Sequence, residues 1–271
     1  MPLRNPYKFL TRRWQTGAME LRRSRAIVPV IDFLAEAGST NDVVVARAAE
    51  LPDLAVVVTD NQTGGRGRLG RVWVSPPGTA IAVSVLVKPS GLPVPSYGWF
   101  PLIAGLAMSR ALNPLVPGEV EVKWPNDVLI DGDKVCGILT ELLPDLSGLV
   151  IGSGVNLTQT RDELPTETST SLLVAGAQDI DVDAVLSSYL THLTTLYREF
   201  QTAGGDPVTS AIRDEVAEAC HTIGRSVRVL LPAGDDLLGT AIGIDEDGRL
   251  LVESDAGITA VAAGDVTHLR Y

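Results

Sequence analysis

Acidic residues are missing from one long segment of an otherwise acidic chain. Over 271 residues the sequence has 33 Asp and Glu against 22 Lys and Arg, a formal net charge of -11. Residues 61–118 nevertheless contain no Asp or Glu. The overall negative charge argues against nucleic acid as the main partner. The acid-free segment is where we expect an anionic small molecule to bind.

Other scarcities exclude further classes of protein. No apolar run approaches the ~20 residues that span a bilayer, and the N-terminal residues lack the apolar core of a signal peptide. We therefore expect no membrane partner and a cytoplasmic location. The only cysteines, Cys136 and Cys220, do not suggest a disulfide framework. The three histidines are scattered without ligand spacing, so no protein-ligated metal site is predicted.

The order of predicted elements divides the chain into three parts. Residues 1–26 form a basic N-terminal arm, 27–221 a large mixed domain and 222–271 a small β-domain of short alternating strands. Helices are predicted in the large domain, the longest at Val182–Gln201. Because its strands follow one another closely, we predict an α+β fold with a central mixed, largely antiparallel sheet flanked by helices.

Glycine and arginine alternate in the acid-free segment, which reads GGRGRLGRVW at residues 64–73. Glycine lets a backbone approach a ligand closely. The guanidinium forks of Arg66 and Arg68 match the geometry of carboxylates and phosphates. The segment therefore predicts a binding loop for an anion, although an exposed basic loop has the same composition.

Two common nucleotide motifs fit this segment only in part. GRGRLG at residues 65–70 has the glycine spacing of a dinucleotide-binding fingerprint, but VWVSPP follows and cannot begin a helix well. No acidic residue that could bind a ribose occurs before Glu119. A P-loop would need Lys and Ser or Thr where Arg71 and Val72 stand. We therefore expect the glycines to shape the loop and the arginines to bind.

Three further segments carry polar groups at predicted strand ends. KWPND at residues 123–127 places Asn126 and Asp127 at a corner between a strand and a turn, and Lys134 begins the next strand across a hairpin. GSGVN at residues 152–156 would let a flat ring lie against the backbone. Each segment alone is also compatible with an ordinary turn, a core tryptophan or a solvated lysine.

Together, these motifs resemble those of biotin protein ligases and occur in that family's order. The matching positions include Gly137-Ile138-Leu139-x-Glu141 after Lys134, as well as Ser39-Thr40-Asn41 and Gln62. The resemblance covers about residues 27–271. It implies a catalytic domain at 27–221 that binds biotin and ATP, and an SH3-like β-barrel at 222–271.

The resemblance implies a two-step reaction through biotinyl-5′-AMP, with Mg²⁺ carried by ATP. The implied catalytic residues are Arg68, Asp127 and Lys134. The implied biotin-binding residues are Ser39, Thr40, Asn41, Gln62, Arg66, Gly67, Arg68 and Lys134. The implied nucleotide-binding residues are Arg68, Trp73, Asn126, Gly154 and Asn156.

The resemblance further implies that the acceptor is the biotin carboxyl carrier domain of an acyl-CoA carboxylase. Residues 1–26 are too few for the winged-helix domain of the family's repressors, so we expect a monofunctional enzyme that does not bind DNA. Two alternatives stay open: a lipoate–protein ligase of the same superfamily, and a non-catalytic protein that binds biotin or a nucleotide. The first would not use the polar Ser39-Thr40-Asn41 set, because a dithiolane ring has no amide.

Overall fold

The structure is a computed structural model that describes residues 20–231, 236–262 and 264–268. Most of the predicted basic arm, residues 1–19, lies outside this range. None of the described helices combines the length and the apolar composition needed to cross a membrane.

A seven-stranded sheet forms the centre of the molecule, in the order β1-β2-β5-β9-β8-β7-β6. Strands β1 and β2 are parallel, and every other neighbouring pair is antiparallel. A separate hairpin joins β3 and β4. The predicted fold class is thereby confirmed. The strands are β1 Ile31–Leu34, β2 Val56–Thr59, β3 Gly65–Arg66, β4 Val72–Trp73, β5 Ala80–Val87, β6 Val120–Lys123, β7 Asp127–Ile130, β8 Asp133–Leu142 and β9 Leu149–Asn156.

Helices cover both faces of this sheet. They are α1 Arg22–Arg25, α2 Thr40–Arg47, α3 Phe100–Leu112, α4 Val182–Thr202 and α5 Ile212–Ala219. Helix α3 is buried almost all round, between the sheet and α4, which explains its lack of a polar face. On the opposite face α2 packs its Val44 against Leu86 and Val150. This packing brings the first residues of α2 to the middle of the sheet.

The N-terminal boundary of the packed unit differs from the expected residue 27. Leu21 is completely buried. The carboxylate of Asp183 accepts hydrogen bonds from the backbone N–H groups of Arg23 (2.8 Å) and Ser24 (3.0 Å). These contacts attach α1 to the first turn of α4. Strand β1 consequently begins at Ile31, because residues 26–29 form the turns that leave α1.

The small C-terminal β-domain is confirmed as a five-stranded antiparallel sheet in the order β13-β12-β11-β10-β14. Its strands are β10 Ser226–Leu230, β11 Leu237–Ile244, β12 Leu250–Ser254, β13 Gly257–Val261 and β14 Asp265–His268. Two tryptophans of the large domain reach its β11–β12 turn: Trp99 donates to the carbonyl of Glu246 (2.7 Å) and Trp124 to that of Gly248 (3.0 Å). Trp124 is therefore a core residue, one of the readings left open for KWPND.

Candidate functional site

A cleft of about 730 Å³ opens over strands β7, β8 and β9. The start of α2, the β3–β4 hairpin and the end of β14 form its walls. Every site residue predicted from the sequence lines this cleft, so the structure brings together segments that are far apart in the chain. These residues are Ser39, Thr40, Asn41, Gln62, Arg66, Gly67, Arg68, Trp73, Asn126, Asp127, Lys134, Gly154 and Asn156.

The first turn of α2 supplies a wall of buried hydrogen-bonding groups. Ser39 caps the helix by accepting the Asp42 N–H (3.4 Å). Thr40 follows and is only 3% exposed. Its backbone N–H donates to Gln62 Oε1 (2.9 Å), and its hydroxyl lies 2.7 Å from Ser84 Oγ on β5. The first turn of α2 therefore lies at the cleft, and the hydrogen bond with Ser84 on β5 holds the Thr40 side chain in place.

Asn41 uses its amide group entirely within the protein. Its Nδ2 donates to Glu141 Oε2 (2.6 Å) and to the Leu139 carbonyl (3.2 Å), and its Oδ1 accepts from Ser84 (2.6 Å). Gly152 makes room for this amide, because a Cβ there would collide with Asn41 Oδ1. The geometry favours a positioning role for Asn41 over direct ligand contact.

The glycine-arginine segment is a hairpin whose turn contains two left-handed residues, Leu69 (φ 56°) and Gly70 (φ 73°). Arg66, at its base, already holds two carboxylates: it contacts Asp42 at 2.7 Å and Glu141 at 3.0 Å. Its hydrogen bonds with Asp42 raise the pKa of the Arg66 guanidinium further above its ordinary value. Arg66 therefore links the hairpin to α2 and β8.

Two cations lie at the centre of the cleft, each beside a polar partner from KWPND. Arg68 donates to Asn126 Oδ1 (3.1 Å), and Asn126 in turn donates from Nδ2 to the Ile138 carbonyl (2.7 Å). Lys134 Nζ forms an ion pair with Asp127 Oδ1 at 2.7 Å, and both side chains are mostly buried. The β3–β4 hairpin, the KWPND segment and strand β8 thus bring these four side chains into one part of the cleft.

A flat ring does lie on the glycine-rich strands, and it belongs to Trp73. Gly137 and Gly154 face each other across β8 and β9. A Cβ on Gly154 would come within 2.5 Å of the Trp73 ring, and one on Gly137 within 3.2 Å. The absence of side chains at both positions lets the indole pack against the sheet.

Asn156 lines the same end of the cleft but is only 3% exposed. Its Nδ2 donates to the Thr170 carbonyl (2.9 Å), and its Oδ1 accepts from Gln159 (3.0 Å). Contact with a nucleotide would have to replace or share one of these bonds.

Sequence reasoning missed several groups at the site. Ser84 is the one hydroxyl side chain in the otherwise apolar strand β5, and this break in the apolar pattern is visible in the sequence. His221 and His268 line the cleft with ring centroids 5.1 Å apart, and His221 Nδ1 lies 2.6 Å from Glu121 Oε2. Their sequence spacing gave no hint of this pairing. Cys136 lies beneath Lys134, where burial raises the pKa of its thiol and keeps it protonated.

The described residues hold no group of three or more His, Cys, Asp and Glu side chains that could bind a metal ion. Asp127 is the one acidic side chain among the cleft-lining residues.

Comparisons with known proteins agree with this arrangement. The biotin/lipoate A/B protein ligase family matches residues 36–156, and the C-terminal domain of biotin protein ligases matches residues 222–269. The biotin–[acetyl-CoA-carboxylase] ligase of Mycobacterium tuberculosis is 40% identical over 245 residues, which cover 89% of each chain. The chain is 34% identical to the bifunctional ligase/repressor BirA of Bacillus spizizenii over 79% of its own length and 66% of that protein.

A solved structure shares both the fold and part of the sequence. The biotin protein ligase of Aquifex aeolicus, in complex with biotin and ATP, superimposes with a TM-score of 0.75 and 28% identity. The match covers 89% of this chain and 99% of that one. The fold is that of a biotin protein ligase. The chain belongs to the biotin/lipoate A/B protein ligase family.

Proposed function

We propose that this protein is an ATP-dependent biotin–protein ligase that modifies a lysine of a biotin carboxyl carrier domain of an acyl-CoA carboxylase. One observation carries the proposal. The cleft joins a hydrogen-bonding wall, formed by the buried Thr40 and the half-buried Gln62, to the cations Arg68 and Lys134. Biotin has the same two ends, a cyclic urea and a carboxylate. We assign the cleft to a catalytic domain that ends at residue 221 and its far wall to a β-domain at 222–271.

In the first step, a biotin carboxylate oxygen attacks the α-phosphorus of ATP. A P–O bond forms, the bond to the β-phosphate oxygen breaks, and pyrophosphate leaves. Two anions must approach one another, so fixed cations lower the barrier. Arg68 and Lys134 are placed for this, because the hairpin and β8 bring both side chains into the cleft.

The ion pair with Asp127 keeps Lys134 pointed into the cleft before substrates bind. When two further anions arrive, Lys134 can turn toward them while Asp127 remains close by. The hairpin that carries Arg68 also covers the site. A cover protects the mixed anhydride from water.

In the second step, the carrier lysine amine attacks the carbonyl carbon of biotinyl-5′-AMP. A C–N bond forms, the C–O bond to the phosphate breaks, AMP leaves, and the amine gives up a proton. Asp127 is our candidate for guiding that amine, since it is the carboxylate that lines the cleft. Trp73 and Gly154 are candidates for the adenine site, with Asn126 and Asn156 nearby.

We expect Mg²⁺ to enter with ATP. Mg²⁺ prefers oxygen ligands and usually keeps one or two protein carboxylates together with substrate phosphates. The single carboxylate of Asp127 and the amide oxygen of Asn126 fit that modest requirement. The ion would neutralise charge on the departing pyrophosphate.

The buried wall argues against a lipoate ligase. Thr40 and Gln62 line the cleft with a hydroxyl and an amide, while the buried Asn41 and Ser84 behind them are paired within the protein. A dithiolane ring would leave polar groups of the wall unpaired, which costs about 1–3 kcal/mol for each. The C-terminal domain matched at residues 222–269 is described as that of biotin protein ligases.

Mass spectrometry tests the proposal directly. The protein is incubated with biotin and MgATP, and the bound fraction is examined for biotinyl-5′-AMP. Adding a carrier domain should then shift that domain by the mass of one biotinyl group on its lysine. Absence of the adenylate would contradict the proposal and favour a binding protein, and an adenylate without transfer would contradict the proposed acceptor.

A further inference from the structure

We infer that Glu141 is a positioning residue that sets the direction of the hydrogen bonds with which the cleft reads the biotin urea. This inference rests on the proposed function. The residues involved form one continuous chain of polar contacts, the polar chain, part of which lines the cleft. Its members are Arg66, Glu141, Asn41, Ser84, Thr40 and Gln62.

The chain begins at a carboxylate, and an ionised carboxylate can only accept hydrogen bonds. Arg66 donates to both Glu141 oxygens, at 3.0 and 3.1 Å. Asn41 must therefore turn its Nδ2 toward Glu141, and the Leu139 carbonyl requires the same orientation. The Asn41 Oδ1 then faces Ser84.

Ser84 transmits this orientation to Thr40. Its side chain is completely buried, and its hydroxyl has a single proton, which goes to Asn41 Oδ1. Ser84 Oγ then has only lone pairs for Thr40 Oγ1 at 2.7 Å, and Gln62 Oε1, at 3.2 Å, is a second acceptor for the same Thr40 hydroxyl. Thr40 Oγ1 is left with lone pairs, so toward the cleft it acts as an acceptor.

Gln62 adds a hydrogen-bond donor beside the acceptor that Thr40 provides. Its Oε1 accepts the Thr40 backbone N–H at 2.9 Å, so its Nε2 is the free donor end. The wall thus offers an acceptor from Thr40 and a donor from Gln62. A cyclic urea carries N–H donors beside a carbonyl acceptor and is the complement of that pair.

The decisive variant is Glu141→Gln, which keeps the size of the side chain. Its amide can present either a donor or an acceptor, so only the longer bond to the Leu139 carbonyl (3.2 Å) still orients Asn41, and the direction of the hydroxyls behind it is held less firmly. We expect the KM for biotin to rise at least tenfold, while the KM for ATP stays within threefold. The ratio of kcat/KM for biotin over 2-iminobiotin, whose protonated ring carries only donors, should fall in parallel.

Asp42→Asn is the matched control. It removes the other carboxylate of Arg66 but leaves the Glu141–Asn41 bond intact. The KM for biotin should change much less in this variant. If both variants raise it equally, the effect arises from holding the hairpin and the inference is wrong.

Ser84→Ala interrupts the polar chain at its centre with Glu141 in place, and it should lower the same selectivity ratio. It serves as the test if Glu141→Gln does not fold, as judged by thermal unfolding. Unchanged selectivity in a folded variant overturns the inference while leaving the proposed function intact. Wild-type protein without biotin-dependent pyrophosphate exchange would instead refute the proposed function itself.

Discussion

Adding a methyl group beneath Trp73 should displace the hairpin by an amount that the structure sets. In Gly154→Ala the new Cβ would lie 2.5 Å from Trp73 Cε2 and 2.7 Å from Cζ2. Carbon atoms are in favourable contact at about 3.5–4.0 Å. The indole must therefore retreat by about 1 Å. Because Trp73 pairs with Gly65 in the β3–β4 hairpin, the arginines of the hairpin move with it.

The energetic cost follows from the same geometry. Forcing an extra methyl group into a packed site costs about 1–3 kcal/mol, equivalent to about 5- to 150-fold in a binding constant. We expect the Kd for biotinyl-5′-AMP to rise within that range in Gly154→Ala. Calorimetry or a competition assay with labelled biotin measures it.

A graded series makes the prediction specific to the indole. Gly137→Ala meets the Trp73 ring at 3.2 Å and Lys134 at 3.1 Å, so its effect should be smaller. Gly243→Ala, in the C-terminal sheet, meets nothing closer than Leu251 at 4.0 Å and should leave the Kd unchanged. The reasoning fails if Gly154→Ala weakens binding no more than Gly137→Ala while thermal unfolding shows both to be folded.

The remaining predictions concern charge and titration. Lys134→Ala should lower the rate of adenylate formation by about 10²–10³-fold, since a fixed cation at the reacting groups is lost; a near-normal rate in single-turnover measurements would refute its role. Arg68→Gly should accelerate release of biotinyl-5′-AMP in stopped-flow experiments. An unchanged release rate would argue against a contact between Arg68 and the bound adenylate. Burial raises the pKa of Cys136 above its ordinary 9.0 and that of Tyr189 above 10.0. The folded state then holds protons that the unfolded state loses, so the free energy of unfolding should fall as the pH rises above about 9. Urea titrations at increasing pH measure this, and a flat profile would contradict it.

Local chemistry made much of the fold predictable. The N-cap at Ser39 and the long amphipathic α4 follow from side chains that act within a few residues, and α4 occurs where predicted. The short alternating strands predicted for residues 222–271 also occur. The docking of α1 was not predictable, because it depends on Asp183, which is distant in sequence from Ser24.

The site shows the same division between local and distant interactions. All predicted residues line the cleft, since the family motifs identify them directly. The partners of these residues could not be predicted, because no neighbouring part of the sequence indicates that Arg66 contacts Glu141 or that His221 contacts Glu121. Arg66 was expected to face two anionic substrates, and the structure instead places it between two carboxylates of its own chain. Composition alone does not distinguish these uses of an arginine.

Pyrophosphate exchange into ATP tests the central claim, that paired cations beside a urea-reading wall activate biotin with ATP. Radiolabelled pyrophosphate should enter ATP only when biotin and Mg²⁺ are present, and lipoate should not replace biotin. Exchange driven by lipoate, or none with biotin, would contradict the account.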